Sequence, residues 1–234
     1  MSPRTAEQFE QLKGERRQAL LRAARVVFAR KGLAAAKIGD VAAEVGISYG
    51  LVYHYFPQKE SLFAAVVEEL VEGWEHLLAA ARQQPGTPWD RLVFLCTQLV
   101  EGVHEQPESL LVMVRAVTED DAPRPLRESL ERYKRQIYEE LAGLIEEGQQ
   151  SGDVAAGSSL ALARALMAMV QGLAISAVVD AGSPLPPIEV VLRILKSNGP
   201  QAPEPGTRRR RTPRERASPA PRPKARAPRR RSPR

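Results

Sequence analysis

A chain of 234 residues has room for one or two domains and a sizeable core. Ala, Leu, Glu, Arg and Gln dominate and strand signals are scarce, so an all-α fold is expected, while a single cysteine, Cys96, excludes an intramolecular disulfide framework and fits a reducing cytosol. The net charge of +6 splits into +5 over residues 1–59 (ten basic, five acidic), −10 over 60–197 (eleven and twenty-one) and +11 over 198–234 (thirteen and two), which argues against a protein that wraps nucleic acid over its whole surface.

Residues 1–14 are polar and lack the apolar centre of a signal peptide. They read as a short mobile arm, able to reach a groove or backbone, on a cytoplasmic protein. A helix follows from about Glu15 to Lys31, with Leu20, Ala24, Val27 and Phe28 on one face and Gly32 as its stop. Ile38, Val41, Ala42 and Val45 recur at three- and four-residue steps, one face of a short second helix that Gly46 ends. Ser48 stands at the N-cap of a third, for which Leu51, Val52 and Phe56 supply the buried side, and Pro57 closes it. Two short helices joined by a glycine-containing turn form a helix-turn-helix, whose second helix enters a DNA major groove.

The outward face of that second helix carries Tyr49, Gly50, Tyr53, His54 and Tyr55, with Lys59 just beyond. Tyr49, Gly50 and His54 are candidates for base edges, and Ser48, Tyr53 and Lys59 for phosphates. Lys59 opens the next helix, where free N–H groups and the positive dipole end already favour a phosphate. Lys37 and Tyr55 complete the set. The competing reading is that Tyr53 and Tyr55 merely cap a small core.

The run Gly46-Ile47-Ser48, Gly50, Val52-Tyr53, Phe56, Lys59-Glu60 and Leu62 resembles the signature of the tetracycline-repressor (TetR) family of one-component bacterial regulators. The likeness covers about residues 15–65; beyond them only a helical layout is shared. It implies a homodimer on a near-palindromic double-stranded DNA operator, with a small-molecule effector bound in a helical domain. The chain departs from the family at Tyr49, where lysine is frequent, at Leu51, where threonine is, and at Ala36-Lys37, where Ser or Thr often precedes the second helix. Operator sequence is therefore not transferable, and Lys37 offers a phosphate contact in place of the missing hydroxyl.

A fourth helix runs from near Gln58 through Leu62, Phe63, Val66, Leu70 and Leu77 to about Arg82, roughly 35–40 Å at 1.5 Å per residue. A rod of that length joins the DNA-binding head to whatever lies beyond. After the breaker Pro85-Gly86-Thr87-Pro88, a fifth helix spans Trp89 to about Glu105, and Gln106-Pro107 starts a shorter one through Leu110, Val114 and Val117. Glu119-Asp120-Asp121 lacks the alternating ligand spacing of a calcium loop and reads as a solvated turn. Leu126 to Gln150 carries the stripe Leu130, Tyr133, Ile137, Leu141, Leu144 and Ile145 and ends at Ser151-Gly152-Asp153.

Leu160 to Val179 is long enough for a membrane span, but Arg164 and Gln171 interrupt it, and a central arginine costs roughly 2.5–3.5 kcal/mol in a bilayer. A buried helix of a soluble oligomer is expected instead. Ala161, Ala165, Ala168, Gly172 and Ser176 form a stripe of small side chains beside a bulky one of Leu162, Leu166, Met169 or Val170, and Leu173. The small stripe suits close approach by another helix, either across a dimer or within the subunit. In the resembled family the last two helices of each subunit pair into a four-helix interface; here the last would be Ile188 to about Lys196.

From about Asn198 no apolar residue larger than alanine remains, so residues 199–234 are expected to be a disordered Arg/Pro-rich tail. Neutralising about six phosphates would make DNA affinity fall roughly a thousandfold between 50 and 200 mM salt. A solubilising extension, or contact with acidic lipid or RNA, is the alternative. An enzyme is not expected: only His54, His76 and His104 are present, without HExxH or a phosphate-cradling glycine loop, and no cofactor or metal is implied.

The sequence therefore describes an all-α protein. Residues 1–60 form a three-helix helix-turn-helix domain, 61–198 a helical effector-binding and dimerisation domain, and 199–234 the tail. A sequence-specific repressor released by a small hydrophobic or amphipathic molecule is expected, with an activator of the same fold or a DNA-coating protein as rivals. Leu77, Phe94, Gln98, Met113, Tyr133, Ile137, Met167 and Gln171 are candidate pocket linings, each also explicable as core.

Overall fold

Glycine at position 32 ends the first helix as its backbone demands: φ 72° and ψ 172° leave the helical region, and residues 33–35 form only a further turn. In the computed structural model, which describes residues 6–118, 122–180, 182 and 184–197, that helix, α1 (Ala6–Ala35), begins well before the expected Glu15. Most of the anticipated mobile arm is thus helical, and residues 1–5 lie outside the described set. Leu20, Ala24, Val27 and Phe28 are buried as their spacing requires.

Two short helices follow, α2 (Ile38–Val45), packed on α1, and α3 (Tyr49–Tyr55), packed on α2. Gly46, at φ 75° and ψ 34°, donates its N–H to the carbonyls of Ala42 and Ala43, and Ile47 donates to Ala42 at 3.0 Å. That left-handed turn would cost an ordinary L-residue about 1–2 kcal/mol. Val52 and Phe56 anchor α3 in the core, each burial contributing about 1.5–3 kcal/mol. The Phe28 and Phe63 rings meet edge to face at 5.1 Å beneath them.

Beyond the head come α4 (Lys59–Gln83), α5 (Pro88–Glu105), α6 (Pro107–Thr118), α7 (Arg124–Gln150), α8 (Ser159–Val179) and α9 (Ile188–Leu192). Thr87 caps α5 reciprocally with Asp90, accepting that residue's N–H while the Asp90 carboxylate accepts the N–H of Thr87. Two cores run through the described residues. The first holds the α1–α3 head and continues into α4 as far as Val67, taking in Val112 and Ala116 of α6 and Leu130 of α7. The second joins the far half of α4 to α5, α7, α8 and α9. The 60/61 boundary therefore falls inside shared packing, and Arg115 of α6 donates from Nε to the α1 carbonyl of Ala29 at 2.9 Å.

Leu92, Leu95, Cys96, Leu99 and Val103 form the buried side of α5, and every member of the stripe expected on α7 is buried. On α6 the buried pair is Val112 and Ala116, with Val117 exposed. Cys96 lies fully inside the second core, where burial pushes its thiol up to about 12. The last helix is shorter than expected. After Leu192 the chain turns out to meet the segment following α7: Ala155 donates to Leu195 at 2.8 Å and Ser197 to Asp153 at 3.0 Å, around an antiparallel bridge between Val154 and Lys196. Between α9 and that bridge the backbone closes in tighter turns, Arg193 donating to Val190 at 3.3 Å and Leu195 to Leu192 at 3.0 Å, with Lys196 also donating to Leu192 at 3.0 Å.

Ala163, Leu166, Met167, Val170 and Ala174 are the buried side of α8. Every member of the small stripe, Ala161, Ala165, Ala168, Gly172 and Ser176, faces outward together with Ile175, Val178 and Val179. The helix is long and apolar enough to cross a membrane, and only 28% of its most apolar window is buried within one subunit. Glu119-Asp120-Asp121 and the tail from residue 198 onward lie outside the described residues.

Candidate nucleic-acid interface and effector cavity

Because Val52 and Phe56 root α3 in the head, its other side is held outward: Ser48, Tyr49, Gly50, Tyr53 and His54 are all exposed. Tyr49 and Tyr53, one helical turn apart, are 53% and 41% exposed and their rings lie 4.7 Å apart. The interaction with the Tyr53 side chain first, and burial second, hold the Tyr49 phenol above its ordinary value, so it remains a neutral donor and acceptor. Ser48 occupies the N-cap position but makes no side-chain cap bond, which leaves its hydroxyl for a ligand. His54 meets Tyr55 edge to face at 5.6 Å. Tyr55 is half-buried and packed against the first core, so its ring serves the head before any contact outside it.

Lys37, Tyr49, Tyr53 and Lys59 border one cleft between the end of α1 and the starts of α2 and α4. The Lys37 side chain is exposed, and its backbone N–H donates to Asp40 Oδ2 at 3.0 Å. Asp40 also takes Lys31 Nζ at 2.9 Å; that bond first, and the Lys37 N–H second, hold its carboxyl below the usual range. Ser48, Gly50 and His54 stand outside the cleft on the open face of α3.

Lys59 is engaged within the head. Its ammonium donates to the carbonyls of Leu33, Ala34 and Ala36 at 2.8, 2.9 and 3.4 Å, so its three hydrogens are committed to the end of α1 that Gly32 leaves open. In the DNA-free chain it is a clip between α1 and α4. Lys59→Met keeps the stem and deletes the ammonium. It is expected to lower stability to urea by about 1–3 kcal/mol. Unchanged stability with weakened DNA binding would return Lys59 to the phosphate set.

Two cavities adjoin below the head, sharing Trp74, Leu110 and Met113. The larger, about 360 Å³, is in the range of roughly 300–1,000 Å³ usual for small-ligand sites. Leu77, Gln98 and Met113 line it. Met113, Tyr133, Ile137, Met167 and Gln171 line the smaller, of about 80 Å³. Phe94 lines neither and packs half-buried against the second core. Tyr133 donates its hydroxyl to the Val71 carbonyl at 2.8 Å, and burial foremost raises its phenol well above the ordinary value. One wall residue escaped the sequence reading: Arg25, on α1. Its signal was a basic side chain on the apolar stripe of Leu21 and Phe28.

Two family models match the chain, "Bacterial regulatory proteins, tetR family" over residues 20–66 and "BetI-type transcriptional repressor, C-terminal" over residues 88–197. The HTH-type transcriptional regulator YfiR of Bacillus subtilis is 29% identical over 155 residues, 65% of this chain and 73% of that protein. The HTH-type transcriptional regulator BetI of Brucella suis is 27% identical over 199 residues, covering 80% and 94% respectively. Among solved structures, the MbdR regulator from Azoarcus sp. CIB superposes with a TM-score of 0.65 at 19% identity, over 76% of this chain and 96% of that one.

Proposed function

The chain belongs to the TetR family of bacterial DNA-binding transcriptional regulators, and on that premise we propose that it is a cytoplasmic homodimeric repressor released by a small amphipathic effector. The observation that carries this reading is the outward row of Ser48, Tyr49, Gly50, Tyr53 and His54 on a helix anchored by Val52 and Phe56. Each copy places α3 in one major groove of a near-palindromic operator, with half-sites roughly 34–36 Å apart or slightly more. Tyr49, Gly50 and His54 read base edges; Ser48, Tyr53 and Lys37 hold phosphates; Tyr55 supports the helix from its half-buried seat.

The outward stripe of α8 supports a second copy as the partner, with the short α9 beside it contributing the exposed Val190. The effector occupies the paired cavities under α4, α5 and α6. It releases DNA only by binding better to a dimer whose heads are wrongly spaced. No residue acts as a catalytic group in this scheme.

Selection of bound genomic fragments by the purified full-length protein, followed by a reporter assay on the recovered promoter, tests the reading. A near-palindromic site is expected, with transcription lower when the protein is present. Transcription that rises instead identifies an activator. Deleting residues 199–234 is expected to leave the preference for that site intact; loss of nearly all binding would identify a DNA-coating protein and overturn the proposal.

A further inference from the structure

Arg25 is the one buried charged side chain among the described residues, and it lies at the wall of the 360 Å³ cavity. The other described basic residues of α1 are exposed. An enclosed guanidinium needs an acceptor for each donor. Nη2 donates to Glu69 Oε2 of α4 at 2.8 Å; Nη1 donates to Ser109 Oγ of α6 at 3.2 Å and to Gln106 Oε1 at the α5–α6 junction. Nε–H is enclosed and has no acceptor. Glu69 thus grips one arm of a fork that a carboxylate can hold with both oxygens. Glu69 is also the more exposed partner, 27% against 11% at the side chain, so it can turn outward to water. Glu105, the other carboxylate at this wall, is exposed and its repulsion is screened. Facing the polar corner, Trp74, Leu77, Leu110 and Met113 form an apolar wall.

The geometry points to an effector with a carboxylate head that takes Arg25 from Glu69 while its apolar body lies along Trp74, Leu77 and Met113. This deepens the proposed function and rests on its placement of the effector. It also supplies a route to DNA. Arg25 is rooted in the helix that braces α2 and α3, so moving its guanidinium off Glu69 breaks a tie between the head and α4. The differential affinity that release requires then sits in one ion pair.

Calorimetric titration of the full-length protein with decanoate, decan-1-ol and decyltrimethylammonium, paired with operator titrations, tests this. The parent protein is expected to bind decanoate at least tenfold more tightly than the alcohol and to lose operator affinity as it does. Arg25→Gln is expected to level acid and alcohol and to leave operator binding insensitive to decanoate. Glu69→Gln, which neutralises the competing carboxylate, is expected to tighten decanoate binding several-fold. It serves as the decisive variant should thermal unfolding show that Arg25→Gln does not fold. Preference for the cation or the alcohol, no binding of any probe, weaker decanoate binding in Glu69→Gln, or an acid preference that survives Arg25→Gln overturns the inference. Operator binding by the ligand-free parent is scored separately, and its absence would sink the functional reading instead.

Discussion

Arginine at both Ala165 and Ala168 is expected to turn the protein into monomers and to weaken operator binding by roughly 100- to 10,000-fold, with the fold of each subunit unchanged. Both positions face outward on α8, and a side chain added at the neighbouring Gly172 would meet nothing within 4 Å. One subunit therefore tolerates the change, since exposed substitutions away from packed features cost little. A second copy does not. Small residues at three- and four-residue steps admit a partner helix closely, and four added guanidinium groups in that interface would be desolvated without acceptors, beside the existing Arg164. The loss at the operator follows from linkage. Tethering two heads makes the second contact intramolecular and multiplies affinity by roughly 10²–10⁴ with no new contact. Sedimentation velocity and operator titration measure the two halves of the claim. A variant that stays dimeric would move the interface elsewhere, and a monomer that binds as tightly as the parent would remove the need for one.

Local signals were the ones the sequence displayed. Gly46 and Pro57 act on their own backbones and the residue beside them, so α2 and α3 could be bounded to within a residue or two without knowing their surroundings. The long amphipathic helices were legible for a similar reason, because a single stripe determines which face is buried. The bonds of Lys59 were not legible because its partners lie 23–26 residues earlier, at carbonyls exposed only once Gly32 has broken α1. The pairing of the segment after α9 involves Asp153 and Ala155, some forty residues away. Arg25 broke a pattern that was visible, yet no pattern could say that it lay beside Glu69 and a cavity. On α8 both stripes were in the sequence. Choosing the covered one needed the positions of α5, α6 and α7.

Phenylalanine at both Tyr49 and Tyr53 is expected to weaken operator binding at least a hundredfold without altering its dependence on salt. The substitution deletes two hydroxyls and keeps both rings, so the pair at 4.7 Å and the fold of α3 persist. With the two exposed rings packed together, at least one hydroxyl per subunit is offered to DNA. A hydrogen bond to a charged phosphate is worth about 1.5–3 kcal/mol, roughly ten- to a hundredfold in affinity. A homodimer makes it twice, so the factors multiply. The exchange removes no lysine or arginine, so no counterion release goes with it, and the slope of log affinity against log salt stays fixed. Lys37→Ala is the contrasting case: a smaller loss, with the slope reduced by about two for the dimer if each exposed ammonium neutralises one phosphate. Side by side, the two variants separate a neutral contact made by position from a charged one made by field. A loss below tenfold for the paired phenylalanine protein, at full stability, would show that DNA is met by some other face of the head.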